Sequence, residues 1–136
     1  MKYLIGYISI LLVFGAIDAA WLSVAGRLLY RPTLGDILID NVRLAPALVF
    51  YLIYPLGILA FSVIPAMRVD SIGTAFVSAV LFGAIAYATY DLTNFATLRN
   101  WTLQITVIDI AYGAVISGIA AMSAILALRL ASRWLP

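Results

Sequence analysis

The sequence predicts an all-α integral membrane protein, a bundle of four transmembrane helices joined by short loops. Hydrophobic residues make up 65% of the 136 residues and charged residues only 10%, and the mean hydropathy of +1.12 is far above that of a soluble domain. Four apolar stretches each reach the roughly 20 residues that a membrane-crossing helix needs. They lie at about 3–29, 44–66, 72–95 and 103–128 and form a single transmembrane domain over residues 1–136.

The first helix begins with a basic residue and an apolar run, MKYLIGYISILLVF, which resembles a signal peptide. The run continues to about Ala25 and three more apolar stretches follow, so we expect a retained helix instead. The connection after it, residues 30–43, is the longest in the chain. Pro32 and Gly35 are expected to end the helix there, and a short interfacial helix is expected around Asp36 and Asp40.

The second and fourth helices carry residues that predict their shape. Pro55 lies in the middle of the second helix, where it removes one backbone hydrogen bond, so we expect a kink near Tyr51. In the fourth helix, Gly113, Ser117 and Ala121 recur every four residues. A stripe of small residues predicts that another helix packs closely against it.

The basic residues do not decide the orientation by number, because four lie at each end of the predicted bundle. The two sets are Lys2, Arg68, Arg129 and Arg133 on the side of the termini, and Arg27, Arg31, Arg43 and Arg99 on the other side. We expect cytoplasmic termini, because Lys2 and the Arg129–Arg133 tail have few acids beside them. Arg99 and Trp101 are expected to anchor the third connection at the membrane surface.

Composition excludes several kinds of chemistry. The chain contains no Cys and no His, which removes the usual ligands of zinc and haem, so no cofactor is expected. All six acids are Asp. The net charge of +2 lies at the helix ends and indicates contact with membrane lipids, not with nucleic acid.

Three Asp residues lie at a similar depth inside the predicted helices. Asp18 precedes Arg27 by nine residues, Asp91 precedes Arg99 by eight, and Asp109 follows Trp101 by eight. At about 1.5 Å per residue, each lies roughly 12–13 Å below the same membrane surface. Because an intramembrane acid is costly, such residues usually face a bundle interior or a wet cavity.

Three acids at one depth on separate helices predict one shared polar pocket. Close carboxylates repel, so one would be protonated or a cation would lie among them. No metal ion is required, but Asp18, Asp91 and Asp109 would be its ligands if a hard cation is bound. The alternative is that each polar residue only bonds a neighbouring helix, contributing about 0.6 kcal/mol. The predicted pocket residues are Asp18, Trp21, Tyr51, Tyr87, Asp91, Asn94, Asp109 and Tyr112.

The same residues carry a family resemblance. The segments YATYDLTNFATLRNW (87–101), TVIDIAYG (106–113), DAAWL (18–22) and FYLIYPLG (50–57) resemble the bacterial "domain of unknown function 2177" family of small predicted membrane proteins. The matching positions are Asp18, Trp21, Asp91, Asn94, Arg99, Trp101, Asp109 and Gly113, while Tyr112 replaces a Trp. The resemblance implies a four-helix protein of the bacterial inner membrane. Its association with fatty-acid modification genes implies a lipid-related role.

Three functions remain open on the sequence alone. The first is a polar pocket that binds or passes a proton, a cation or an amphipathic small molecule, in a chain small enough that we expect a homo-oligomer. The second is a non-catalytic accessory or assembly subunit of a larger membrane complex. The third is an enzyme that modifies lipids or isoprenoids by Asp acid–base chemistry, although no paired-Asp run and no nucleophile–base couple is present.

Overall fold

The computed structural model describes residues 1–134 and contains four helices that are long and apolar enough to cross a membrane. We label them α1 (Lys2–Ile37), α2 (Leu44–Arg68), α3 (Ile72–Thr97) and α4 (Leu103–Ala131). No strand occurs among these residues. The predicted fold class, an all-α bundle of four membrane helices, is therefore confirmed.

Helix α1 is longer than the sequence predicted, because Pro32 and Gly35 do not end it. A π-helical turn occupies Gly26–Tyr30, and the α-helix that resumes at Arg31 has Pro32 in its first turn. Pro32 has no N–H to donate to the preceding turn, but the π-helical turn lies directly before it and the helix continues to Ile37. Helix α1 ends in a 3₁₀ turn at Gly35–Ile37 that contains Asp36, and residues 38–43 contain no helix, so no separate interfacial helix extends to Asp40.

In helix α2, Pro65 also follows a π-helical turn. A π-helical turn at Leu59–Val63 is followed by an α-helical segment in which Pro65 lies in the first turn. Pro55 instead lies within the α-helical stretch Leu44–Ile58. There its missing N–H leaves the Tyr51 carbonyl without the usual partner four residues on, and the kink at Pro55 stays a prediction.

Helices α3 and α4 begin with similar caps. The Ser71 hydroxyl accepts the backbone N–H of Thr74 at 3.1 Å, and the Thr102 hydroxyl accepts that of Ile105 at 3.1 Å. Each cap satisfies one of the free N–H groups that every helix start exposes. These caps fix where the last two helices begin after their short connections.

Helix α4 is the centre of the bundle and packs along both α1 and α3. A Cβ added to Gly83 of α3 would lie 2.3 Å from the Gly113 carbonyl oxygen, and one added to Gly113 would lie 2.2 Å from the Tyr87 ring. Only glycine allows this approach, so the close packing predicted for Gly113 and Ser117 is confirmed. The antiparallel register places Gly83 opposite Ser117 and Tyr87 opposite Gly113.

The core lies in the half of the bundle nearer the termini. Its fully buried side chains come from all four helices and include Ile10, Phe14, Ile58, Val63, Ala79, Ile116 and Ala120. The first part of α2 packs mainly on α1, although Tyr54 also reaches Ser117 of α4 and the Phe82 ring of α3, whereas the last part packs on α1, α3 and α4 alike. The other half of the bundle is therefore less densely filled, and the candidate site lies there.

Candidate functional site

A cavity of about 660 Å³ opens between α1, α3, α4 and the connection after α1, on the side of the bundle opposite the termini. Its polar lining consists of Asp18, Arg31, Asn94 and Asp109, and its aromatic lining of Trp21, Tyr30, Tyr87, Tyr90, Trp101 and Tyr112. The remaining walls are Gly26 and the aliphatic residues Leu22, Leu34, Ile37, Leu38, Ile39, Val42 and Leu98. The cavity thus combines buried polar groups with a large apolar surface.

Helix α1 contributes one wall through residues at four-residue intervals. Asp18, Leu22, Gly26, Tyr30 and Leu34 all line the cavity. In a regular α-helix this spacing drifts around the axis, because one turn takes 3.6 residues. The π-helical turn at Gly26–Tyr30 is wider and offsets that drift. It therefore keeps Tyr30 and Leu34 on the same side as Asp18.

Asp18 is held by two tyrosines from different helices. Its side chain is 6% exposed. Oδ1 accepts a hydrogen bond from the Tyr112 hydroxyl of α4 at 2.9 Å, and Oδ2 accepts one from the Tyr51 hydroxyl of α2. Tyr51 does not line the cavity itself. The structure thus brings together three of the predicted pocket residues, Asp18, Tyr51 and Tyr112. Tyr51 contributes through its hydrogen bond to Asp18 and not as part of the cavity lining.

Asp109 is joined to the same wall through a residue that the sequence did not single out. It is 7% exposed, and its Oδ1 accepts a hydrogen bond from the Tyr30 hydroxyl. The Tyr30 oxygen in turn accepts the indole N–H of Trp21 at 3.2 Å. The Trp21 ring stacks on the Tyr112 ring, with centroids 4.1 Å apart and planes 8° apart. Trp21, Tyr30 and Tyr112 therefore connect the two carboxylates.

Tyr30 was missed because it was assigned to a loop. Pro32 and Gly35 pointed to a helix end, and a loop tyrosine gave no reason to expect contact with Asp109. The signal that could have identified it is its spacing, twelve residues after Asp18 on the line shared by Leu22 and Gly26. Extending the first helix past Gly26 would have placed Tyr30 in the cavity.

Asp91 is not part of the cavity, which corrects its predicted placement. Its side chain is 0% exposed, and neither carboxylate oxygen has a hydrogen-bond partner among residues 1–134. Asp91 follows Ala79, Gly83 and Tyr87 at four-residue intervals on the side of α3 that packs on α4, and its neighbours Tyr87 and Asn94 line the cavity whereas Asp91 does not. Depth along the helix, which the sequence gives, does not determine which way a side chain faces around the helix axis.

The three acids therefore do not converge. Asp18 and Asp109 line one cavity, and Asp91 is enclosed between helices. Within the described part of the chain, no group of three acidic side chains is placed to hold a metal ion. The hard-cation site suggested for Asp18, Asp91 and Asp109 consequently lacks the geometry that such an ion requires.

The predicted anchors of the third connection lie in different surroundings. Trp101 is only 8% exposed, donates its indole N–H to the Thr106 hydroxyl at 3.1 Å, and meets the Tyr90 ring edge-on with centroids 5.5 Å apart. It forms a wall of the cavity, and its role as a membrane anchor stays a prediction. Arg99 is exposed and does not line the cavity.

Comparison with known proteins gives a family assignment. The model of a family described as "Predicted membrane protein (DUF2177)" matches residues 3–126. No curated protein and no solved structure matches the chain. Because the family model covers nearly the whole chain and four apolar helices fit its description, the protein belongs to the DUF2177 family of predicted membrane proteins.

Proposed function

We propose that the protein binds an amphipathic small molecule inside the membrane, in the cavity between α1, α3 and α4. The observation that carries this proposal is the cavity itself. Its volume of about 660 Å³ falls within the roughly 300–1,000 Å³ of small-molecule sites. Such sites are mostly apolar and contain a few placed polar groups, and the same combination occurs here.

The polar part of the ligand would face Asp18 and Asp109. Both side chains are more than nine-tenths buried, yet both line the cavity. The Tyr30 hydroxyl occupies only one oxygen of Asp109, which leaves Oδ2 as an acceptor for a ligand. A scaffold that needed only helix-to-helix hydrogen bonds could use Asn, Ser or Thr at lower cost, because these side chains carry no charge.

The apolar part of the ligand would lie along the aliphatic walls. Leu22, Leu38 and Ile39 line the cavity and are also 49%, 44% and 54% exposed, respectively. These side chains therefore connect the cavity with the outer surface of the bundle, which faces lipid if the four helices cross a bilayer. A ligand tail could leave the cavity along this side without losing apolar surroundings.

The other functions receive less support from the geometry. Passage of a cation would benefit from converging acids, and Asp91 is separated from the other two. The homo-oligomer, the subunit of a larger complex and the lipid-modifying enzyme stay predictions.

We also place the protein in the bacterial inner membrane with cytoplasmic termini, which puts the cavity on the opposite side. The absence of native Cys makes this simple to test. Asp40→Cys in the connection after α1 should react with a membrane-impermeant maleimide added outside spheroplasts. Ser71→Cys, in the connection between α2 and α3, should react only after the membrane is broken. The reverse pattern would overturn the orientation and leave the binding proposal intact.

Binding is tested by filling the cavity from a glycine. Gly26 lines the cavity, and an added Cβ there meets nothing within 4 Å, so Gly26→Phe should add bulk without a clash. Gly15 lies on the same helix outside the cavity and is equally free of contacts, so Gly15→Phe is the matched control.

Native mass spectrometry of protein released from a mild detergent compares the two variants. We expect the unsubstituted protein and Gly15→Phe to retain an amphiphile of defined mass and Gly26→Phe to lose it. Equal retention by all three proteins would place the bound molecule elsewhere on the bundle and contradict the proposal. Absence of any bound molecule, both as purified and after incubation with total bacterial lipid extract, would contradict it as well.

A further inference from the structure

We infer that the polar group of the ligand is a cation, and that the cavity selects amphiphiles with an ammonium head. This inference rests on the proposed binding function and specifies the class of its ligand. It follows from the chemistry of the groups that face the deep part of the cavity. Those groups are two buried carboxyl side chains and a set of aromatic rings.

The two acids favour a ligand that donates hydrogen bonds and carries positive charge. The oxygens of Asp18 are oriented by the Tyr51 and Tyr112 hydroxyls, and Asp109 is oriented by Tyr30. These tyrosines fix the carboxyl groups before a ligand arrives, which reduces the ordering that binding requires. Charge-assisted hydrogen bonds are about twice as strong as neutral ones, so an ammonium group gains more from them than a hydroxyl group does.

The aromatic walls favour the same head group. The Trp21 and Tyr112 rings are stacked beside Asp18, and Tyr90 and Trp101 form an edge-to-face pair on another wall. The face of an aromatic ring attracts cations, and clusters of such rings bind ammonium groups in many proteins. The carboxyl groups and the aromatic rings of the cavity therefore both favour an ammonium head group.

The basic residue of the lining does not reverse this preference. Arg31 lies near the outer end of α1 and is exposed, whereas Asp18 and Asp109 are buried. Exposed charges are screened more strongly than buried ones, so the field inside the cavity is set mainly by the acids. An anionic head would meet two buried carboxyl groups of like charge, which disfavours its entry.

Tryptophan fluorescence measures the selectivity directly. Trp21 and Trp101 line the cavity, while Trp134 is 85% exposed near the chain end. The Trp134→Phe variant therefore restricts the signal to the two cavity tryptophans. In nanodiscs of neutral lipid, this variant is titrated with octylammonium, octanol and octanoate, which share one chain length and differ in head charge.

We expect octylammonium to bind with a dissociation constant about tenfold lower than that of octanol, and octanoate to bind most weakly. Asp109→Asn should remove most of the advantage of octylammonium over octanol. Asp36→Asn, which changes an exposed acid outside the cavity, should have no effect. Gly26→Phe should abolish the response to all three probes.

The outcomes separate this inference from the proposed function. If octanol binding depends on Gly26 but octylammonium binds no tighter, the cavity binds amphiphiles and the inference of a cationic head is wrong. If no probe gives a response that depends on Gly26, the proposed function itself fails. Should Asp109→Asn not fold, the ranking of the three probes on the Trp134→Phe protein still decides the matter.

Discussion

The two halves of this bundle differ in how the helices meet. In the middle of the bundle, where the half nearer the termini begins, Gly83 and Gly113 bring α3 and α4 so close that no Cβ fits at either position. On the other side, Gly26 also lies on a helix face, but an added Cβ there meets nothing within 4 Å. Glycine thus closes one contact and leaves space in the other, and the space lies beside the buried acids.

This difference indicates where the chain has stability and where it has room for function. The packed half contains most of the fully buried apolar side chains. The open half contains Asp18 and Asp109, two of the six Asp residues of the sequence. Buried polar groups contribute little stability in membrane proteins, so the open half is the less stable of the two.

The largest effect is expected where α3 and α4 approach most closely. Gly83→Ala would place a methyl group 2.3 Å from the Gly113 carbonyl oxygen, and Gly113→Ala would place one 2.2 Å from the Tyr87 ring. Because helices α3 and α4 must separate to admit either methyl group, we expect a loss of about 1–3 kcal/mol. Thermal unfolding in detergent measures this loss, and Gly15→Ala is the control. Unchanged stability of both variants would contradict the close contact.

A medium effect should distinguish two of the buried acids. Asp18→Ala leaves the Tyr51 and Tyr112 hydroxyls without their acceptor, so we expect a loss of about 1 kcal/mol. Asp91 accepts no hydrogen bond within the described residues, so Asp91→Ala should change the free energy of unfolding by less than about 0.5 kcal/mol. A larger loss for Asp91→Ala than for Asp18→Ala would show that Asp91 has a partner.

The smallest effect is expected at the end of the bundle that carries the termini. Arg129 and Asp70 form an ion pair with an N–O distance of 3.1 Å, and their side chains are 46% and 88% exposed. Exposed pairs are screened by water and salt, so Arg129→Ala should cost less than about 0.5 kcal/mol. Unfolding at low and high salt measures it, and a large salt-independent loss would indicate that the pair is shielded from water.

The sequence predicted the class of fold well because that prediction needs only hydropathy and length. The end of the first helix was less accurate, because Pro32 and Gly35 were taken as a helix end. Pro32 and Pro65 each follow a π-helical turn and lie in the first turn of the next α-helical segment. A pattern of apolar residues does not reveal a π-helical turn. Such a turn changes only the direction in which the following side chains point around the helix axis.

The candidate site was predicted in part for a related reason. Counting residues gave a common depth for Asp18, Asp91 and Asp109, and the first and third of these do line one cavity. It could not give the direction of each side chain, because these helices are apolar on most sides and show no clear inner face. Asp91 was therefore grouped with the other two, whereas Tyr30 was left out because it was assigned to a loop.

The most direct test of the account is to map where an amphiphile lies on the protein. An octylammonium analogue with a photoreactive diazirine in its chain is irradiated with the protein in nanodiscs, and the labelled residues are identified by peptide mapping. We expect labels at the cavity residues Leu22, Leu38, Ile39 and Val42, and their loss in Gly26→Phe but not in Gly15→Phe. Labels spread over lipid-facing residues such as Leu12 and Val77, unchanged by Gly26→Phe, would contradict a ligand in this cavity.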